Sequence, residues 1–403
     1  MIKTSKRINN TKAYYFAEKL AEVNQLCEQG RPVINLAVGN PDLSPDQTVI
    51  DVLINSANKE NVHQYQSYRG SNDLRMAFMH WYQKRFQITL DYKEEILPLT
   101  GSKEGIMYLS MAFLDPGDEV LVPDPGYPIY AGAAELSGAS VITYNLLEEN
   151  NWKPDLEELH KLISERTKML WINFPGNPTG ASADVRELSA LVEFSRKHGI
   201  LLCADNPYCF ILNDQPLSIF NIPGAKDVAV ELNSLSKSHN MPGWRIGMMA
   251  GNSVAIDAVA KVKSNIDTGM FKPIQDASAV AITLKEEWYS NLNIIYRERQ
   301  QEMFHILDTL GCSYQKDSSG LYVWAAIPVY YEDSFAFCDY LLETFNVFVA
   351  PGAIYGKNGE RFIRTSLTQP VKVLREVLKR ILQYKAGKAK QKTEKKILFK
   401  TKR

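Results

Sequence analysis

The stretch NSLSKSHNMPGWRIG, residues 233–247, contains residue types that could bind a phosphate beside a reactive amine. Ser234 and Ser236 offer hydroxyl groups, and Arg245 offers a guanidinium fork suited to phosphate oxygens. Lys237 stands among them, and a lysine whose charged form is disfavoured reacts with an aldehyde to give a Schiff base. Considered alone, Lys237 has the simpler interpretation of a surface lysine.

Three more candidate residues follow apolar runs of the kind that form strands. Tyr127 stands between two prolines in PDPGYPIY, as a ring presented for stacking would. Asn177 lies in the compact turn PGNPTG and can offer its amide to a ligand. Asp205 ends the run GILLCAD, where a buried carboxylate needs a partner such as a protonated ring nitrogen. A helix N-cap is the alternative interpretation for Asp205.

The loop TGSKEG, residues 100–105, adds a second candidate for phosphate binding. Gly101 permits a tight turn, and free amides at Ser102 and Lys103 would begin a helix, where anions bind. An ordinary turn with an N-cap is the alternative. Phosphate, aldehyde, ring nitrogen and a stacked aromatic face together describe pyridoxal 5′-phosphate (PLP), so the sequence predicts this cofactor.

The elements that must position these groups are seven short apolar runs between about residues 95 and 250, each followed by turn residues and a helical pattern. This alternation predicts an α/β fold with a mainly parallel sheet covered by helices on both faces. In such sheets ligands bind beyond the carboxyl ends of the strands, where the candidate residues stand. The runs are EILPLT, EVLVP, SVITYNL, TKMLWINF, GILLCAD, VAVELNS and IGMMAG.

The rest of the chain predicts a second, smaller unit. From about residue 290 helices and strands mix differently, which favours a small α+β domain. We predict a large PLP-binding domain over residues 46–288 and the small domain over 289–386. Residues 1–45 would pack on the small domain, and the lysine-rich residues 387–403 would form a disordered tail.

Composition excludes several classes of protein. Among the 403 residues, Lys+Arg and Asp+Glu number 46 each, so no net field favours nucleic acid or an anionic membrane. No apolar window approaches a membrane span, and the first residues show no export signal. Five cysteines without a C-x-x-C pair predict no disulfide framework and no metal site, and they fit the cytoplasm.

The order of the motifs resembles the class I/II aminotransferases, which are PLP enzymes of fold type I. The series runs Tyr65, GSKEG, Tyr127, NPTG, DNPY, SLSK, RIG and finally Arg364 in FIRTSL, and covers about residues 10–385. More narrowly, GSKEGI, VPDPGYPIY, SLSKSHNMPGWRIG and KVKSNIDTGMF are similar to the LL-diaminopimelate aminotransferases and their close relatives.

The resemblance implies roles for individual residues around the ring of the cofactor. Lys237 would bind PLP covalently and move the proton between the substrate Cα and the cofactor. Asp205 would pair with the ring nitrogen, Tyr208 and Asn177 would hydrogen-bond the phenolic oxygen, and Tyr127 would stack on the ring. The phosphate would be held by Ser102, Lys103, Ser234, Ser236 and Arg245.

Further residues would bind the substrate or complete the site. Arg364 would bind the substrate α-carboxylate, with Asn177 beside it, and Gly39 would lie where the backbone approaches the substrate. A surface ion pair is the alternative interpretation of Arg364. Tyr65 would reach the phosphate of a neighbouring subunit, so the resemblance implies a homodimer with shared sites.

The predicted reaction is amino transfer between an amino acid and a 2-oxo acid, with LL-diaminopimelate and 2-oxoglutarate as the predicted pair. An alanine, aspartate or broad-range aminotransferase would keep every motif, and a PLP-dependent C–S β-lyase would use the same lysine, aspartate and arginine. A PLP-binding transcription regulator is a further alternative, distinguished by an added winged-helix module. The effect of Asn206 and Cys209, which flank Tyr208, stays open at this stage.

Overall fold

The computed structural model describes residues 2–5, 8 and 15–400, with the backbone alone considered for residues 17 and 389–400. The helices are numbered in chain order. They are α1 (Tyr15–Glu28), α2 (Gln47–Ala57), α3 (Asn72–Phe86), α4 (Ser102–Phe113), α5 (Ile129–Ser137), α6 (Leu156–Leu162), α7 (Val185–His198), α8 (Leu235–Ser238), α9 (Ser253–Ser264), α10 (Lys272–Ile282), α11 (Glu286–Leu310), α12 (Ser334–Phe345) and α13 (Val371–Lys400).

The strands form three sheets. They are β1 (Ile34–Asn35), β2 (Ile96–Leu99), β3 (Glu119–Asp124), β4 (Ser140–Asn145), β5 (Thr167–Asn173), β6 (Leu201–Asp205), β7 (Ala229–Ser234), β8 (Gly247–Gly251), β9 (Ser313–Tyr314), β10 (Tyr322–Ala326), β11 (Val347–Phe348), β12 (Ala350–Pro351) and β13 (Phe362–Ser366). The largest sheet has the order β2-β8-β7-β6-β5-β3-β4. Its pairs are parallel except where β8 lies antiparallel to β2 and β7. The seven predicted runs are these seven strands, so the prediction of a mainly parallel sheet is confirmed.

Helices cover both faces of this sheet because its strands are apolar on both sides. In β5, Leu170 and Ile172 join one buried cluster, which includes residues of α7. Met169 and Trp171 alternate with them and join the cluster on the other face, which includes residues of α4. Two apolar faces therefore fix the sheet between helical layers, and the strand ends are left for the site.

The boundaries of α7 illustrate how local sequence sets these helices. Asp184 caps the helix by accepting from the Glu187 amide at 2.9 Å, while the Glu187 carboxylate accepts from the Asp184 amide at 2.7 Å. Gly199 ends the helix at a φ of 64°, a left-handed conformation that glycine adopts without strain. This helix is the helical pattern predicted to follow the run TKMLWINF, and it is confirmed.

The C-terminal part of the chain forms a separate antiparallel sheet of order β12-β13-β10-β9. In its register Trp324 of β10 lies opposite Arg364 of β13. Its core includes residues of α11, α12 and α13. The N-terminal strand β1 pairs in parallel with β11, so Ile34 and Asn35 contact this C-terminal part. The division of the chain into domains stays a prediction.

The last helix differs from the expected disordered tail over residues 387–403. Helix α13 runs on to Lys400, and residues 401–403 lie outside the described residues. Its first turns are anchored by Leu374, Val377 and Ile381, which are buried. The following Ala, Lys, Gln and Glu residues have high helix propensity, so they extend a helix that packing has already started.

Two further findings concern the described part of the chain. It contains no helix that is long and apolar enough to cross a membrane. All five cysteines are free thiols.

Candidate active site

A cavity of about 360 Å³ lies beyond the carboxyl ends of the central strands. Its lining includes every predicted site residue except Tyr65. These residues are Gly39, Ser102, Lys103, Tyr127, Asn177, Asp205, Tyr208, Ser234, Ser236, Lys237, Arg245 and Arg364. The volume lies in the range of sites that bind cofactor-sized ligands. The strand ends bring together residues that are up to about 325 positions apart in sequence.

Tyr65 lies outside this cavity, in the loop between α2 and α3, with 90% of its surface exposed. Its role toward a neighbouring subunit stays a prediction.

Lys237 lies in the short helix α8, directly after β7. Ser234 begins this helix, since its hydroxyl accepts from the Ser236 amide at 3.2 Å. The Lys237 Nζ donates to the Gly39 carbonyl at 2.6 Å. Burial lowers the pKa of this amine; Tyr322 opposes the shift, while the charges of Arg364 and Arg245 add to it. The amine is therefore easier to deprotonate than an exposed lysine, as a nucleophile requires.

Asp205 ends β6, and only one of its two carboxylate oxygens accepts a hydrogen bond. Its Oδ2 accepts from the Tyr130 hydroxyl at 2.7 Å. Its Oδ1 is buried without a hydrogen-bond partner among the described residues. Burial raises the pKa of this carboxyl to about 7, although the Tyr130 hydrogen bond opposes the rise. A protonated ring nitrogen beside Oδ1 would satisfy the oxygen and stabilise the charge.

Cationic and glycine residues at the start of α4 form a cradle for an anion. Gly101 precedes the helix at a φ of 85°, and no side chain caps it. A Cβ at Gly101 would lie 2.2 Å from Nη2 of Arg245, so another residue here would move the guanidinium away from the helix. Burial lowers the pKa of Lys103, and the Arg245 charge adds to this effect. Two cations beside free helix amides favour a bound phosphate.

Arg364 is buried on β13 and held by polar contacts. Its Nη1 donates to the Asn177 side-chain oxygen at 2.7 Å, and its Nη2 donates to the Ala37 carbonyl at 2.6 Å. Its guanidinium carbon lies 3.8 Å from the ring centre of Tyr322. These contacts exclude the alternative interpretation of Arg364 as a surface ion pair. They leave a fixed cation in the cavity lining.

Several cavity residues were missed by the sequence analysis. Tyr322 lines the cavity. Tyr130 lies outside the lining and donates a hydrogen bond to Asp205, which is part of it. Phe16 and Leu20 of α1 also line it, so the N-terminal helix closes one side. Tyr130 stands three residues after Tyr127, a helical spacing that could have identified it. Tyr322 lies in a strand pattern with no such signal, because its place depends on register.

The two residues around Tyr208 whose effect was left open lie outside the cavity lining. The Asn206 side chain donates to the Leu217 carbonyl at 2.9 Å, and Cys209 is buried. Neither side chain is placed to contact a ligand in this cavity.

The residues present fit PLP on two observations. Asp205 leaves a buried oxygen for a ring nitrogen, and the cradle beside Gly101 accepts a phosphate. The amine of Lys237 lines the same cavity. Burial and nearby cations lower its pKa, which favours reaction with an aldehyde. No group of three or more histidine, cysteine or acidic residues that could hold a metal occurs among the described residues.

Comparisons with known proteins identify the family. The family model described as aminotransferase class I and II matches residues 31–381. The LL-diaminopimelate aminotransferase of Aquifex aeolicus is 38% identical over 387 residues, which is 96% of this chain and 100% of the relative. That of Dehalococcoides mccartyi strain ATCC BAA-2100 is 40% identical over 386 residues, 95% of this chain and 99% of the relative.

Solved structures agree with this assignment. The substrate-bound BacF structure from Bacillus subtilis has a TM-score of 0.92 and 34% identity, covering 95% of this chain and 98% of that chain. A single mutant of the Thermus thermophilus aspartate aminotransferase has a TM-score of 0.89 and 27% identity, covering 95% and 100%.

The fold and the cavity define a PLP-dependent transferase of fold type I. The chain belongs to the class I and II aminotransferases and is a PLP-dependent enzyme that moves amino groups. The predictions of fold class, family and cofactor are confirmed.

Proposed function

We propose that this aminotransferase moves an amino group between LL-2,6-diaminopimelate, or its cyclised oxo form, and the pair glutamate and 2-oxoglutarate. The observation that carries this substrate is the similarity to relatives named LL-diaminopimelate aminotransferase, at 36–40% identity over nearly the whole chain. An enzyme of this specificity would serve lysine biosynthesis in the cytoplasm.

We propose that Lys237 carries the cofactor and moves the proton at the substrate Cα. PLP, when bound, supplies a ring that accepts electron density from that carbon. The lowered pKa of Lys237 supports both roles, because a general base works best when its pKa lies near the working pH. Its contact with Gly39 shows that the backbone closely borders the amine.

Asp205 keeps the proton on the ring nitrogen in this proposal. Its buried Oδ1 would accept that proton's hydrogen bond, while the Tyr130 hydroxyl fixes the other oxygen. The phenol of Tyr208 and the amide of Asn177 would hydrogen-bond the phenolic oxygen of the cofactor. Tyr127 would stack on the ring, with its own ring set edge-on against Tyr130 at 5.7 Å.

The phosphate would be held by the amides that begin α4 together with hydroxyl groups and a guanidinium. The residues concerned are Ser102, Lys103, Ser234, Ser236 and Arg245. Anchoring the phosphate fixes the ring relative to Lys237, which turns the reaction at Cα into an encounter between positioned groups.

Arg364 would bind the substrate α-carboxylate and so orient the Cα–H bond. Its burial and its contacts with Asn177 and Ala37 support this role, because a guanidinium already fixed loses little freedom on binding. Gly39, whose carbonyl accepts from Lys237, would lie where the backbone approaches the substrate closely.

We further propose that the active unit is a homodimer in which Tyr65 of one subunit reaches the phosphate in the other. Tyr65 has 90% of its surface exposed in the single chain, and this exposure supports a role toward another subunit. In the same proposal residues 46–288 form the cofactor domain and residues 289–386 the small domain, with residues 1–45 packed on it.

A coupled assay tests the substrate. The PLP-loaded protein is given LL-diaminopimelate and 2-oxoglutarate, beside alanine, aspartate, aromatic amino acids, methionine and cysteine as donors. Glutamate formed from diaminopimelate alone supports the proposal. Glutamate formed from another donor keeps the aminotransferase and replaces the substrate, and the likeness to the Thermus aspartate aminotransferase makes aspartate the second donor to examine. Pyruvate or ammonia released without an oxo acid would instead indicate β-lyase activity.

A further inference from the structure

We propose that Tyr322 is a positioning residue of the amino-transfer reaction, whose phenol holds the Tyr208 hydroxyl and the Arg364 guanidinium in their working places. The inference rests on the proposed roles of Tyr208 and Arg364. It concerns a residue that none of the sequence motifs contains.

The register of the small sheet places the Tyr322 ring on Arg364. In the antiparallel pair of β10 and β13, Trp324 lies directly opposite Arg364, and Tyr322 lies two residues along the same face. Diagonal neighbours on one face are within reach of aromatic and long side chains. The guanidinium carbon accordingly lies 3.8 Å from the Tyr322 ring centre. The ring therefore supports one face of the cation that would bind the substrate carboxylate.

The Tyr322 hydroxyl contacts a residue at the carboxyl edge of the central sheet. Its oxygen lies 3.3 Å from the Tyr208 hydroxyl oxygen, and the two rings meet edge to face at 5.6 Å. Tyr208 follows β6 of the central sheet, whereas Tyr322 belongs to the C-terminal sheet. One buried residue thus joins the groups that would bind the cofactor oxygen and the substrate carboxylate.

Gly39 shows how closely this phenol borders the reactive amine. A Cβ at Gly39 would lie 2.0 Å from the Tyr322 hydroxyl oxygen, so any side chain there would displace the phenol. The Gly39 carbonyl accepts from Lys237 at 2.6 Å. Glycine is therefore required at this position for space, and the space it leaves is filled by Tyr322.

Nearby charges also act on the Tyr322 hydroxyl. Burial acts to raise the pKa of Tyr322, but the charges of Arg364 and Lys237 outweigh it and the pKa lies below its usual value. Burial raises the pKa of Tyr208. Either hydroxyl can donate in this contact, and a hydrogen bond from the Tyr208 hydroxyl stabilises the deprotonated form of Tyr322. Burial raises the pKa of the neighbouring Tyr296, and the charge of Tyr322 adds to this rise.

Two substitutions separate the hydroxyl from the ring. Tyr322→Phe removes only the hydroxyl, and we expect kcat to fall about tenfold while KM for the amino acid changes less than about twofold. We also expect the pH titration of the bound cofactor's visible absorbance to shift, a readout independent of turnover. Tyr322→Leu removes the ring as well, and we expect KM for the amino acid to rise about tenfold further.

A double-substitution comparison tests the path through Tyr208. If Tyr322 acts through that hydroxyl, adding Tyr322→Phe to Tyr208→Phe lowers kcat by less than about twofold. Tyr314→Phe is the matched control, since Tyr314 lies in the same sheet but bonds Asp308 outside the cavity. Melting temperatures of all variants check that they fold.

The outcomes are distinguishable from those for the proposed function. Unchanged kcat and an unshifted titration in Tyr322→Phe overturn the inference, as does a full tenfold loss on top of Tyr208→Phe. Wild-type protein that transaminates no donor contradicts the proposed function, while the absorbance titration still decides the role of Tyr322. Should Tyr322→Phe fail to fold, Gly39→Ala displaces the same phenol, and an unshifted titration in that variant overturns the inference.

Discussion

At the scale of single residues, Lys237 carries the clearest prediction. Lys237→Ala should abolish the cofactor adduct that borohydride fixes and lower kcat by at least about a thousandfold, because both the covalent anchor and the base are lost. Mass spectrometry after borohydride treatment and the coupled assay measure the two effects. The control is Lys161→Ala at an exposed position on α6, which should retain both. Turnover retained by Lys237→Ala would contradict the mechanism.

Tyr130 supports a second prediction at this scale. Tyr130→Phe removes the hydrogen bond that opposes the raised pKa of Asp205, so we expect PLP affinity to fall about tenfold. Fluorescence titration of the cofactor-free protein with PLP measures the affinity. Tyr144→Phe is the control, because its hydroxyl donates to the Trp171 carbonyl at 2.8 Å and does not contact Asp205. Equal affinity in the two variants would argue against a role for Tyr130.

The site residues that the sequence identifies are those that directly follow the end of a strand. Asp205, Asn177 and Lys237 each follow an apolar run within a few residues, so local pattern predicts their place in the site. Tyr322 could not be found in this way. Its position beside Arg364 depends on the pairing of two strands about forty residues apart, and one apolar strand residue resembles another.

At the scale of elements, the start of α4 makes Gly101 a site of specific sensitivity. Gly101→Ala places a Cβ 2.2 Å from Arg245 and strains a φ of 85°, so we expect PLP affinity to fall at least about tenfold. Gly117→Ala is a matched control, since Gly117 has a φ of 100° but nothing within 4 Å of an added Cβ. Gly117→Ala should lower the stability of the protein without changing its affinity for PLP. Titration with PLP and thermal melting separate the two effects, and equal PLP affinity in both variants would contradict the cradle.

The elements that sequence predicts are those with strong apolar periodicity. The seven central strands and α7 were found because burial on both faces, or on one helical face, leaves a regular pattern. Residues 387–400 have no such pattern, and they continue α13 through helix propensity and a docked N-terminal half. Composition alone did not distinguish this extension from disorder.

At the scale of the whole molecule, Asp205 links cofactor binding to stability. In the cofactor-free protein its pKa is about 7 against an ordinary value of 3.8. Between those pH values the folded protein binds more protons than the unfolded chain, so stability falls as pH rises, by up to about 4 kcal/mol. A cation beside Oδ1 would remove this loss.

Thermal melting between pH 4 and pH 8 tests this linkage. The cofactor-free wild type should lose stability relative to Asp205→Asn as pH rises, because an amide at this position stays neutral. With PLP bound, the wild type should lose less over the same range. Parallel melting curves for the two cofactor-free proteins would contradict the raised pKa.

The proposed sharing of sites between subunits has a direct test. If Tyr65 acts across the interface, a hybrid of Lys237→Ala and Tyr65→Ala chains contains one intact site and one doubly defective site. Mixing the two weakly active variants under conditions of subunit exchange should therefore restore about half of the wild-type activity per hybrid dimer. Separation by differently tagged chains identifies the hybrid, and no gain over the parents would argue that each site belongs to one chain.

The cavity also constrains the order of events during synthesis. Its lining extends from Phe16 in the first helix to Arg364 in the thirteenth strand. A ribosome releases the chain from its N-terminus, so the amine at Lys237 emerges well before the guanidinium that completes the lining. The phosphate cradle and the amine are translated by residue 245, and the small sheet follows. Productive capture of the vitamin-derived cofactor therefore belongs to the last stage of translation or after release.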